Sequence, residues 1–134
     1  MLKLISVGLI YDDFHKSFLL VREPEQRDWS FPMTGVQAQE HDAIALTRSV
    51  QQSTSVICQP ANRLAVTSPT PGEIENDEWP RAYWLCIAYG ETPKVVRGSA
   101  HPIVAAEYVD RATVTQRMNG RMPKPFSILL NSLA

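Results

Sequence analysis

Cysteine is scarce in this 134-residue chain, with only Cys58 and Cys86, which excludes a disulfide-built scaffold. Both stand in apolar runs, where small buried thiols are expected, and that points to an intracellular chain. Charge of one sign is lacking too: 13 basic residues face 14 acidic ones, for a formal net charge of −1. A polybasic nucleic-acid or membrane binder is therefore not expected. No apolar run is long enough to span a bilayer. The N-terminal one, Leu4 to Tyr11, has neither the basic flank nor the small-residue cleavage site of a signal peptide. These absences predict a soluble, cytoplasmic protein. No Gly-rich phosphate loop and no Gly-x-Ser-x-Gly elbow occurs, and the three histidines lack zinc-ligand spacing.

What is present is an ordinary globular composition, 44% hydrophobic and 20% charged, in a chain of one-domain length that folds without a staple. Leu4 to Tyr11 reads as a strand buried on both faces, Asp12 to Lys16 as a hairpin loop, and Ser17 to Val21 as the return strand. Trp29 to Pro32 reads as a short aromatic strand, with Thr34-Gly35 as a turn. Asp42 to Thr54 has no Gly or Pro and predicts a helix begun by His41 or Asp42, with Ala43, Ile44, Leu46 and Val50 marking its apolar face. Further strands are expected at Val56–Cys58, Leu64–Thr67, Ala82–Tyr89 and Ala105–Val109. Asp110 to Met118 reads as a helical turn and Ser127 to Leu133 as a closing helix with Ile128, Leu129 and Leu133 inward. The expected fold class is α/β, a single domain with a mixed β-sheet and helices on either side.

The stretch Trp29 to Val56 carries the chemistry. Trp29-Ser30-Phe31-Pro32 leads into a turn, and Glu40 precedes Arg48 by eight residues, with Val50 and Val56 beyond. That order resembles the Nudix family, whose members cleave a nucleoside diphosphate linked to some other group. The family's box runs Gly, five residues, Glu, seven residues, Arg-Glu, an aliphatic residue, any residue, Glu-Glu, any residue, Gly and an aliphatic residue. Glu40 falls on the first Glu, Arg48 on the Arg, and Val50 and Val56 on the aliphatic positions. The resemblance implies a Nudix-like α/β/α sandwich over residues 1–134, nucleotide-like small-molecule partners, and Glu40 and Arg48 as the retained catalytic positions. It also places Arg22, at the end of the second strand, and the aromatic pair Trp29 and Phe31 where a substrate is contacted. A surface ion pair of Arg22 with Glu23, and a core role for the aromatics, compete with that assignment.

The departures fall on the acids. The opening Gly is Thr34, the Glu after Arg48 is Ser49, the Glu-Glu pair is Gln52-Ser53, and the closing Gly is Ser55. Residues 49, 52 and 53 share one face of a helix, where glutamates would converge on Mg²⁺ or Mn²⁺. Serine and glutamine are neutral and cannot hold such an ion against its hydration. No Asp or Glu occurs between Asp42 and Glu73. Metal-dependent pyrophosphohydrolase activity is thus expected to be impaired or lost, leaving a nucleotide-binding pseudoenzyme with no metal site. The alternatives are an active hydrolase that draws carboxylates from Glu40, Glu107 or the Glu73, Glu75, Asp77, Glu78 loop, and a structural or partner-binding domain. Mg²⁺ or Mn²⁺ is implied only for the active alternative. Homodimers are frequent in the family, and the apolar first strand leaves one open here.

Overall fold

The computed structural model describes residues 4–67, 79–99 and 102–133, so the acidic loop and His101 lie outside the described residues. Within them are six strands and three helices: β1 (Leu4–Asp12), β2 (Ser17–Arg22), β3 (Met33–Val36), α1 (Asp42–Thr54), β4 (Cys58–Thr67), β5 (Arg81–Ala88), β6 (Ala105–Val109), α2 (Arg111–Arg117) and α3 (Lys124–Leu130). The strands form one mixed sheet in the order β4-β5-β1-β2-β6, with β3 also paired to β1. β1 runs parallel to β5 from Ile5↔Arg81 to Asp12↔Ala88. Its other edge meets β3 near its start and β2 at its end, both antiparallel. That central place explains its unbroken apolar run, because side chains on both faces are covered. It also leaves β1 without a free edge, so this strand gives no support to a homodimer.

Alternation along β1 and β2 divides the core into two layers. Val7, Leu9, Tyr11, Phe18 and Leu20 face α2 and α3, where Val114, Met118, Phe126 and Leu130 meet them. Ile10 and Leu19 face the other way, onto Leu46 and Val50 of α1 and onto Val56, Cys58 and Cys86. The helix-sheet-helix sandwich is as expected. Gly8 sets how near α1 approaches: a Cβ there would lie 2.8 Å from Ile10 Cδ1 and 2.9 Å from Leu46 Cδ2. Cys58 and Cys86 are both buried free thiols. Hydrogen bonding to Cys58, then burial, pushes the Cys86 thiol well above its ordinary range.

Several local expectations are corrected. The strand after Pro32 is Met33–Val36, and Thr34-Gly35 lies within it opposite Ile5 and Ser6 rather than in a turn. The Trp29–Pro32 stretch contributes only a bridge between Ser30 and Val21. Proline, which has no N–H for the ladder, sits just ahead of the strand. In place of separate strands at Val56–Cys58 and Leu64–Thr67 there is one ten-residue strand, Cys58–Thr67, continuous through bulges near Pro60 and Arg63, with Val56 and Ile57 ahead of it. On α1 the sheet-facing side is Ala43, Ala45, Leu46, Ser49, Val50 and Ser53, while Ile44 points out at 60% exposure. The closing helix begins at Lys124 with Pro125 in its first turn, and Ile128 is exposed, not inward.

Candidate functional site

His41 caps α1, its Nδ1 accepting from the Ala43 N–H at 3.2 Å. Asp42 is the first helical residue, buried, and accepts from Trp84 Nε1 at 2.9 Å. Its negative charge stands at the positive end of the helix. The cap therefore belongs to His41 and the buried acid to the helix itself.

Glu40 and Arg48 come together. Arg48 Nη1 and Nη2 donate to the two Glu40 oxygens, the second at 3.3 Å. Glu40 also accepts from the Gln37 N–H at 3.3 Å, which folds the chain ahead of α1 back onto the helix. A bidentate guanidinium-carboxylate pair fixes orientation as well as charge. Both charges are spent on each other, so the pair ties the loop to the helix.

The three box positions behave otherwise. Ser49 and Ser53 are buried at 7% and 6% exposure. Ser53 Oγ lies 3.0 Å from Ser99 Oγ. The segment leading to Ser99 is laid along the end of α1 by backbone bonds, Lys94 N–H to Thr54 O at 2.8 Å and Val96 N–H to Ser53 O at 3.0 Å. Beneath Glu23, Met33 and Ile103, the space left beside Ser49 and Ser53 is about 20 Å³, room for roughly one water. Among the described residues no group of three or more His, Cys, Asp or Glu side chains could hold a metal ion. Among the described residues Glu23 is the one carboxylate at this cavity, too few donors for a hard cation that demands an oxygen cage. Mg²⁺ does not fit this donor set.

Sequence reasoning missed the segment Lys94–Ser99. It carries no periodicity and no motif, and only Arg97-Gly98 signals a turn there. On its outer side this segment and α1 bound an open groove of about 740 Å³, with Arg48, Gln51, Gln52, Ser55, Arg97 and Ser99 among its walls.

Arg22 and Trp29 meet on the opposite sheet face, and Phe31 does not join them. The Arg22 guanidinium lies 5.8 Å from the Trp29 ring centre. Arg117, which sequence reasoning did not single out, stacks more closely at 4.3 Å, and its Nη2 contacts Glu107 Oε1 at 2.5 Å. Both guanidiniums are within cation-π range. Phe31 is 3% exposed and edge-on to Phe126 at 4.8 Å, so it is a core residue and cannot stack on a base. Glu23 follows Arg22 but points to the α1 side. Glu107 is held by Arg117, away from the box. Arg22, Trp29, Arg117 and Glu107 thus form one polar aromatic cluster.

No family model matches the chain, and no curated protein matches it. Solved structures do. An Ap4A hydrolase from C. elegans superposes with a TM-score of 0.68 at 12% identity, covering 96% of this chain and 93% of that one. A structure described as a Nudix hydrolase from Nitrosomonas europaea gives 0.66 at 15% identity, covering 98% and 87%. An ADP-ribose pyrophosphatase from Streptococcus suis gives 0.64 at 16% identity, covering 84% and 76%. The mixed sheet between helical layers, with a strand-loop-helix at its centre, is the architecture these proteins share. It is the Nudix fold, and the resemblance carried by Glu40, Arg48 and their flanks extends across the whole chain. Among the described residues no helix is long and apolar enough to cross a membrane.

Proposed function

We propose that this Nudix-fold protein binds a nucleotide-like small molecule without a metal-bearing box and does not hydrolyse it by the metal-dependent route. The supporting observation is the closed state of the α1 face at Ser49 and Ser53, whose adjoining cavity of about 20 Å³ admits no hydrated cation beside a diphosphate. Glu40 and Arg48 then act as the clasp of the loop onto α1, and Arg22 with Trp29 offers a cationic aromatic surface to a base or sugar. Phosphoryl transfer in water depends on metal ions to neutralise the developing charge, so loss of their ligands removes chemistry before it removes binding. Nothing in this role calls for nucleic acid or a membrane.

The test is a paired assay. The purified protein is incubated with excess Mg²⁺ or Mn²⁺ and a panel that includes ADP-ribose, diadenosine tetraphosphate and nucleoside triphosphates. Products are followed by chromatography, and binding of the same compounds by calorimetry. Binding without metal-dependent turnover is expected. Turnover that rises with Mg²⁺ and disappears in chelator would overturn the proposal and favour a hydrolase that recruits acids from outside α1.

A further inference from the structure

Another cavity, of about 420 Å³, opens where β6 passes the loop that leaves β5. It shares no lining residue with the space beside Ser49 and Ser53 or with the groove outside α1. Its walls include Tyr108 of β6, Glu91 and Pro93 of the loop, and His15 of the β1–β2 hairpin. Asp12 ends β1 with its side chain fully buried. Its Oδ1 accepts from the Phe14 N–H at 3.1 Å, and its Oδ2 meets His15 Nδ1 at 2.5 Å. Glu91 Oε2 accepts from the Tyr89 N–H at 3.3 Å, which holds that carboxylate in place and leaves its other oxygen for a further donor. Glu107, also at the cavity, is paired with Arg117. Tyr108 is half-buried, and its hydroxyl is buried with no hydrogen-bond partner among the described residues. Burial first, then the Asp12 and Glu91 carboxylates, push that hydroxyl well above the ordinary tyrosine range. Two negative charges thus act on one aromatic wall. Of the lysines nearby in sequence, Lys16 is paired with Asp13 and Lys94 is exposed to solvent.

We infer that this cavity binds a small organic ammonium ion, its N–H groups donating to Glu91 and its carbon body lying against Tyr108 and Pro93. A carboxylate pairs the charge through charge-assisted hydrogen bonds, and an aromatic face attracts the same cation by its negative quadrupole. A metal ion is the poorer occupant, because among the described residues no group of three or more His, Cys, Asp or Glu could hold one. An anion would meet the field of Asp12 and Glu91 with the wrong sign. The volume is that of a small-molecule pocket and takes an alkyl or aryl amine. The nucleotide-like ligand proposed above uses the Arg22 and Trp29 surface, so this site stands or falls independently of that reading.

An NMR titration of the whole protein with phenethylamine, and with its neutral counterpart 2-phenylethanol, tests this. The amine should give saturable shifts at the Glu91, Thr92 and Tyr108 amides. The alcohol, alike in shape but uncharged, should bind roughly tenfold more weakly or less. Glu91→Gln keeps an oxygen for the Tyr89 N–H but removes the charge, so amine affinity should fall by roughly tenfold. Tyr108→Leu should lower it several-fold, and Tyr108→Phe, which restores the ring, should recover most of that loss. Circular dichroism should show all three variants folded. Equal affinities for amine and alcohol, or an amine affinity that ignores Glu91→Gln, would overturn the inference. So would shifts gathered around Trp29 with none at Glu91 and Thr92, or no saturable binding at millimolar amine.

Discussion

Glu40 and Arg48 lie at one end of the box-like stretch, and Ser49, Gln52, Ser53 and Ser55 at the other. The first pair is kept as charged residues and closed into a bidentate contact. The second set is uncharged, its two inward members are buried, and Ser53 meets the segment that ends at Ser99. The difference separates two jobs that glutamates and arginines do in such a stretch. One is architectural, tying the loop ahead of α1 to the helix, and it survives. The other is to gather acids around a cation, which demands like charges close together and is costly without the ion.

Reversing the inner set is the strongest way to break this contrast. Ser53→Glu puts a carboxylate into a buried position beside a cavity of about 20 Å³. An unpaired buried charge costs about 3 kcal/mol or more, so the melting temperature should fall by roughly 10 °C. Ser49→Glu on top of it should cost more still, and excess Mg²⁺ should recover part of the loss only if the Lys94–Ser99 segment lifts away. A double variant as stable as the parent, measured by thermal unfolding, would mean that the cavity opens freely and that the site is not closed.

The outer pair should respond more mildly. Glu40→Ala removes an acid that is largely buried and frees Arg48, which is partly exposed and can be hydrated. About 1 kcal/mol of destabilisation is expected after allowing for solvent screening. If the pair served only chemistry, stability would not move and only ligand binding or turnover would. Ser55 gives a still smaller effect, of opposite sign. It ends α1 in the left-handed conformation at φ 64°, where the resemblance calls for glycine and where a side chain is strained. Ser55→Gly should raise stability by about 0.5–1 kcal/mol in a denaturant titration. That would mark the missing glycine as a loss to the helix end, separate from the loss of the acids.

The layered fold was legible because its strongest signals are long ones. β1 reads as a doubly covered strand from its apolar run, and α1 from thirteen residues without a breaker. Short signals misled where a neighbour decided the outcome. Ile44 is apolar and next to Ala43, but one step along a helix turns it by about 100°, and the side that meets the sheet is the one carrying Leu46, which approaches Gly8. Trp29 and Phe31 look alike as aromatics on one short run. Only the tertiary packing sends Phe31 into the core against Phe126 and leaves Trp29 under two guanidiniums. At the site, the absence of acids at positions 49, 52 and 53 could be read from residue types alone. The small size of the space could not, since it depends on how Val21, Pro32, Met33 and Ile103, far apart in sequence, pack against α1.

The two helix starts sharpen the same contrast at the smallest scale, because α1 is capped by an imidazole and α2 by a carboxylate. Asp110 accepts from the Thr113 N–H at 2.8 Å. The Thr113 hydroxyl and N–H together hold its carboxyl below the usual carboxylate range. For a carboxyl depressed by folding, the stabilising contribution is fully present above its ordinary value of about 4 and fades as the pH falls through the lower, folded value. The α2 start should therefore loosen on the acid side only. The protection of the Val114 amide, which donates to Asp110 O, measured against its intrinsic exchange rate at each pH, should fall below roughly pH 4. Asp110→Asn keeps an oxygen that can cap but does not titrate, so exchange in that variant should lose this acid limb. Equal acid limbs in parent and variant would place the sensitivity elsewhere. The consequence reaches the Trp29 site, because α2 carries the Arg117 that stacks on that ring and pairs with Glu107. Ligand binding that uses Arg22 and Trp29 should weaken over the same acid range as the Val114 amide loses protection, and in Asp110→Asn the two should stay coupled by losing that limb together.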